Sequence, residues 1–256
     1  MKRISRITRL VYGAVLLFVP AVTSSSLAAA DDGIGPLGVT AVAGVTAQSA
    51  RVGALFGAGR GESLPGGHFC TASVVHSARH NLIVTAAHCL GSAGEGALFV
   101  PGYRDGRAPY GVWTVRKTFL PAGWSKGRNE DSDVAFAVLD ERDGRNVEDF
   151  VGGNRFATRT TTGATAVTVT GYPDSREVPV GCSNRPVAHS ATQQRIDCPD
   201  LTGGTSGSPW VNGDGSVVGI LGGHEQGGTT ADISYSVVLG DEAGELYEDA
   251  ASASDS

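Results

Sequence analysis

Apolar and polar positions along the chain alternate in short runs rather than in long stripes. From Arg51 onward, segments rich in Val, Ile, Thr and aromatic residues recur, separated by Gly, Pro, Asn and Asp. This is the pattern of strands punctuated by tight turns. In the first half the runs are RVGALFG (51–57), CTASVVH (70–76), NLIVTAA (81–87), GVWTVRKTF (111–119) and DVAFAVL (133–139). In the second half they are AVTVTGY (166–172), SPWVN (208–212), SVVGIL (216–221) and ISYSVVL (233–239). Asn212-Gly213-Asp214-Gly215 sits between two of these runs and signals a hairpin turn. No window before the C-terminus sustains a helical period. GDEAGELYEDA (240–250) is the exception, and predicts a short terminal helix with Leu246 and Tyr247 turned inward. Many short antiparallel strands predict an all-β sandwich or barrels. The polar stretch DERDGRN (140–146) falls near the middle of the strand-forming region and suits a bridge between two halves.

Composition agrees with a folded globular chain: 41% of the 256 residues are apolar and 18% charged. Glycine is in excess, at 37 residues without a collagen period, as expected for many turns between short strands. A net charge of −6, with no basic cluster beyond the N-terminus, argues against a nucleic-acid partner. That N-terminus has the form of a signal peptide over 1–30. Lys2, Arg3, Arg6 and Arg9 precede an apolar stretch from Leu10 to Val22, and Ala28 and Ala30 supply an A-x-A cleavage site. The apolar stretch is shorter than the roughly 20 residues a membrane helix needs, so the mature protein is expected to be secreted and free of the membrane. Residues 31–50 are small and uncharged after Asp32, and read as either a propeptide or an ordered N-terminal arm.

Export bears on the four cysteines, Cys70, Cys89, Cys182 and Cys198, since an even number in an oxidising compartment reads as disulfides. Of the three possible pairings, nearest neighbours keep each bridge within one half of the chain. They close loops of 19 residues (70 to 89) and 16 residues (182 to 198). A zinc site is the competing use of cysteine, but no C-x₂-C spacing exists.

Three motifs carry candidate chemistry. Thr85-Ala86-Ala87-His88-Cys89 ends an apolar strand, Asp133-Val134-Ala135-Phe136 opens one, and Gly203-Gly204-Thr205-Ser206-Gly207-Ser208-Pro209 precedes another. A serine hydroxyl becomes a competent nucleophile only beside a base that takes its proton. Histidine can take that proton and return it to a leaving group, and a carboxylate can hold its second ring nitrogen. In that order the three motifs resemble the signatures of the trypsin and chymotrypsin family, with bacterial secreted members similar over about 51–239. The resemblance implies a chymotrypsin-like double six-stranded antiparallel β-barrel, to which the sequence pattern adds the short C-terminal helix. Barrel one would span about 51–140 and barrel two about 150–240, within a protease domain of 51–250 and ahead of a disordered tail at 251–256.

The resemblance also implies roles. His88, Asp133 and Ser206 would be the catalytic triad, and the amides of Gly204 and Ser206 the oxyanion hole, where losing one donor typically costs about 2.7–4 kcal/mol of barrier. Asp131 competes for the acid's place, but Asp133 leads directly into the apolar strand, where it can be buried beside His88. An α/β-hydrolase fits poorly because position 208 is Ser, not Gly, and the only acid and histidine to follow the nucleophile as that fold needs, Asp214 and His224, would be cramped within a hairpin. The other histidines, His68, His76, His80 and His189, adjoin no motif and are expected on the surface. Two departures from the animal enzymes stand out. Thr205 replaces the aspartate that pairs with a new N-terminal amine on activation, so that switch is expected to be absent. Cys198 lies further from the nucleophile than the family's cysteine, so the second bridge is arranged differently.

The expected activity is that of an endopeptidase acting on protein or peptide substrates as a monomer, without metal or organic cofactor. A catalytically silent binding module and an esterase-like hydrolase on the same scaffold are the alternatives. For specificity, Asp200 lies at the offset where trypsin-like enzymes place the acid of the primary pocket, which would favour Arg or Lys. Gly222 and Gly223 should line the pocket wall. Leu221 stands where glutamyl endopeptidases carry a histidine, whereas His224 keeps an acidic preference open, and small or apolar substrates are a third option.

Overall fold

The computed structural model describes residues 36–60 and 63–253, so the signal peptide expected over 1–30 lies outside the described residues. The chain opens with β1 (Val39–Val42) and continues through β2 (Val52–Phe56), β3 (His68–Val75), β4 (Leu82–Thr85), β5 (Leu98–Pro101), β6 (Trp113–Phe119) and β7 (Ala135–Leu139). Strands β2 to β7 close into a barrel in the order β2-β3-β4-β7-β6-β5. All five apolar runs read from the first half lie on strands of this barrel. β5 was not among them.

The second half supplies β8 (Arg155–Phe156), β9 (Val167–Gly171), β10 (Val180–Asn184), β11 (Val187–Ala188), β12 (Gln193–Asp197), β13 (Pro209–Asn212), β14 (Ser216–Ile220) and β15 (Ile233–Val237). They form a six-stranded sheet, β1-β10-β9-β13-β14-β8, and a three-stranded one, β11-β12-β15. A backbone bridge between Leu221 and Ser236 joins the two. Both sheets enclose a second core of Val167, Val169, Val180, Ile196, Leu201, Trp210 and Leu221. The β13–β14 hairpin turns at Asn212, whose side-chain oxygen accepts from the amides of Asp214 and Ser216.

The segment 31–50 contributes β1, which pairs antiparallel with β10 from Val39 opposite Ser183 to Val42 opposite Val180. The stretch 140–146 is a turn closed by paired backbones of Arg142 and Arg145, leading into a helical turn at Val147–Val151. The C-terminal helix runs from Asp241 to Ala253, three residues into the expected tail. Its Tyr247 stacks on Phe156 at 5.2 Å and meets Phe136 at 5.7 Å, while its hydroxyl donates to the His76 carbonyl at 2.7 Å. Among the described residues no helix is long and apolar enough to cross a membrane.

One surface expectation fails. His68 is only 5% exposed, because β3 starts there and places the ring between Phe56, Tyr103 and Tyr172.

The cysteines bridge nearest neighbours, Cys70 to Cys89 and Cys182 to Cys198. Cys182 and Cys198 both lie in the second core. Replacing both by Ser should cost about 3 kcal/mol, the worth of closing a loop near this length. A denaturant midpoint that does not move would contradict this.

Candidate active site

Strand register explains how His88 and Asp133 meet. β4 and β7 are antiparallel neighbours with Thr85 opposite Ala135. His88 lies three residues beyond one partner and Asp133 two residues before the other, so both emerge at the same barrel end. His88 is the second residue of a short helix, Ala87–Ala93, and Asp133 follows a 3-10 turn, Glu130–Ser132. The helix escapes a sequence reading because it spans only seven residues, includes Gly91 and has no side-chain cap.

His88 Nδ1 is 2.7 Å from Asp133 Oδ2, and the His88 backbone amide donates to Asp133 Oδ1 at 2.9 Å. A third donor, the Gly223 amide, reaches Oδ2 from the second half at 2.8 Å. The Asp133 side chain is wholly buried and that of His88 is 12% exposed. A carboxylate taken out of water needs such a full set of donors. With Nδ1 engaged, Nε2 is the ring nitrogen left for proton exchange. Asp131 is exposed and accepts instead from the Thr192 hydroxyl and the Gln193 amide, both at 2.8 Å.

The Ser206 loop is fastened to barrel one by Thr71 of β3. The Thr71 amide donates to the Ser206 carbonyl at 2.8 Å, and its hydroxyl donates to the Gly204 carbonyl at 3.0 Å. The same hydroxyl accepts from the Tyr172 amide at 2.9 Å, and the Thr71 carbonyl accepts from the Thr85 hydroxyl at 2.7 Å. Thr71 was missed by the sequence reading; its one signal is a polar residue inside an apolar run, next to a half-cystine. Beneath the loop, burial pushes the Tyr172 phenol well above its ordinary value.

Amides in this loop alternate. Thr205 N–H donates to the Thr202 carbonyl at 3.1 Å and Gly207 N–H to the Leu221 carbonyl at 2.7 Å. Those of Gly204 and Ser206 have no acceptor among the described residues. Thr205 is buried and uncharged, with its hydroxyl satisfied by the Thr202 carbonyl at 2.6 Å.

Beside Ser206 opens a cleft of about 250 Å³ lined by Leu201, Thr202, Gly203, Thr205, Ser206, Leu221 and the segment 226–231. Its lining contains no charged side chain. Asp200 is not part of it: the residue is exposed, with left-handed backbone at φ 62°, and the buried Leu201 takes the inward place. Leu221 lines the cleft. Gly222 and Gly223 instead back the Asp133 carboxylate, since a Cβ on Gly222 would lie 2.8 Å from Asp133 Oδ2. The ring of His224 lies outside the cleft, packed against His189 at 4.9 Å and Tyr235 at 4.8 Å, with Nδ1 3.6 Å from Glu130.

The family model of the trypsin-like peptidase domain matches residues 70–220, and the chain belongs to that family. No curated protein sequence matches significantly. Among solved structures, the protease Anisep from Arthrobacter nicotinovorans is 28% identical, with a TM-score of 0.69 over 79% of this chain and 96% of that one. The thermostable serine protease AL20 from an extremophilic microorganism is also 28% identical, with a TM-score of 0.68 over 81% of this chain and 99% of that one. A Glu endopeptidase, 19% identical with a TM-score of 0.66 over 86% and 99%, shares the fold. These relatives agree with a chymotrypsin-like double-barrel fold and a protein of the serine protease type.

Gly207 shows how tightly the loop is seated. Its φ is 85°, and a Cβ there would lie 2.1 Å from both the Thr71 carbonyl and the Thr85 hydroxyl. Gly207→Ala should destabilise the fold by more than about 1 kcal/mol and remove peptidase activity. A variant with native melting temperature and native turnover would refute this account of the loop.

Proposed function

We propose that this protein is a secreted serine endopeptidase in which Ser206, His88 and Asp133 act as nucleophile, base and orienting acid. Ser206 Oγ attacks the scissile carbonyl carbon while His88 Nε2 takes its proton, and the imidazolium then returns that proton to the leaving amine. Water deacylates the resulting ester by the same route in reverse. The carbonyl oxygen, negative in the tetrahedral intermediate, is received by the amides of Gly204 and Ser206. The buried pairing of His88 Nδ1 with Asp133 Oδ2 is the observation that carries this reading. The two uncommitted amides support it from the other side of the reacting carbonyl. Two disulfides and the N-terminal signal pattern support action outside the cell.

Because the triad acts as a unit, Ser206→Ala should lower peptide turnover by about 10⁶-fold with the fold intact. Labelling by an active-site phosphonate should vanish in the same variant. Retention of a tenth of native activity would refute the assignment.

An uncharged cleft gives no countercharge to a substrate side chain, and a buried charge without a partner is costly. The residue before the cleaved bond is therefore expected to be small, polar uncharged or apolar. Matched peptides with Ala, Leu, Gln, Arg and Glu at that position should be cut best with an uncharged residue. Asp200→Ser should leave the ranking unchanged. A clear preference for Arg that disappears in Asp200→Ser would overturn this.

A further inference from the structure

Away from the cleft, two histidines and two carboxylates converge at the opposite end of β4. His76 and His80 flank the β3–β4 loop, and Glu148 and Asp149 lie in the first turn of the Val147–Val151 helix. One donor atom each from His76, His80 and Glu148 lies within 4.8 Å of the others. His76 Nδ1 is 2.7 Å from Glu148 Oε1, and His80 Nδ1 is 2.6 Å from Asp149 Oδ1. The imidazoles are 59% and 44% exposed, leaving one side open to solvent, whereas Glu148 is only 11% exposed.

The carboxylates are held in place by the backbone. Glu148 Oε2 accepts from the Ser77 amide at 3.2 Å, and the Glu148 amide donates to the His80 carbonyl at 2.9 Å. Gly153 makes room for this approach, since a Cβ there would lie 2.8 Å from Glu148 Oε1. Asp149 Oδ2 accepts from the Asn146 amide at 2.9 Å, closing a capping box, so only Oδ1 faces His80. Arg145 bonds the Asp149 carbonyl and not its carboxylate.

We propose that His76, His80 and Glu148 bind a divalent transition-metal ion of the zinc type, with Asp149 orienting His80 from outside the coordination shell. Imidazole with one carboxylate is a donor set that suits zinc and not calcium or magnesium, which take oxygen ligands. Tetrahedral zinc with bonds near 2.0–2.1 Å sets its ligand atoms about 3.4 Å apart, within reach of small side-chain rotations here. A histidine that donates one ring N–H to a carboxylate presents its other nitrogen to a metal. The ion would tie the β3–β4 loop to the 147–151 helix and, through the Tyr247 hydroxyl on His76, to the C-terminal helix. The whole of β4 lies between this site and the segment that carries His88, so it acts on stability and not on turnover. The proposal does not depend on the peptidase reading.

The test uses the chelator-stripped chain in a Ser206→Ala background, which prevents self-digestion. Zinc should bind at one ion per chain by calorimetry and raise the melting temperature by about 5 °C or more at saturating concentrations, where calcium and magnesium do not. His76→Ala/His80→Ala, and separately Glu148→Gln, should weaken zinc binding at least tenfold. Absence of any calorimetric or thermal response up to millimolar zinc would show two ordinary ion pairs and overturn the proposal. So would a loss smaller than tenfold in these variants.

Discussion

The buried Asp133 carboxylate is the constraint around which the active end of the molecule is arranged. Stripped of water, it would cost several kcal/mol if any donor were missing. Two of its donors come from His88 on barrel one and the third from Gly223 in the second half. Satisfying one charge thus requires both halves to be correctly docked. The same requirement removes side-chain volume at Gly222, which passes directly over the carboxylate.

Thr71 is the second tie between the halves, and it works on the Ser206 side. Its amide and hydroxyl hold the carbonyls of Ser206 and Gly204. The Cys70–Cys89 bridge links Thr71's neighbour to His88's neighbour, so the strand that fastens the serine loop is tied to the helix that presents the histidine. With Thr205 buried and neutral, the loop is held by hydrogen bonds within itself and to barrel one. The histidine–carboxylate cluster at the far end of β4 belongs to a different part of this economy. It joins surface segments that otherwise rest on a short loop and a five-residue helix.

Much of the fold was legible because strand runs announce themselves locally. Each of the nine runs read from the chain falls on a strand, since a Val-, Ile- and Thr-rich segment of this length has few other ways to bury its side chains. Six strands escaped reading: β1, β5 and β10 have four or five residues, β8 and β11 have two each, and β12 is the polar QQRID. They become strands only because a partner edge is already present, as β15 is for β12. The terminal helix was legible from its period, but not its extra turn.

The candidate site divides the same way. Which residues are candidates for nucleophile, base and acid was legible in the sequence, because three short motifs at strand ends resemble the signatures of a known family. Asp133 could be separated from Asp131 by its place at the head of an apolar strand. What only the tertiary structure decided is what surrounds those residues. Asp200 stands at a suggestive spacing, yet its backbone turns through the left-handed region and its side chain meets solvent while Leu201 goes inward. His68, with no motif beside it, is buried among aromatic rings from three other segments. Thr71 and Gly223 act through backbone amides, which every residue but proline possesses and which no sequence pattern marks. Residue identity is local and can be read along the chain; exposure, the direction of an amide and the lining of a cleft depend on segments far apart in sequence meeting in space.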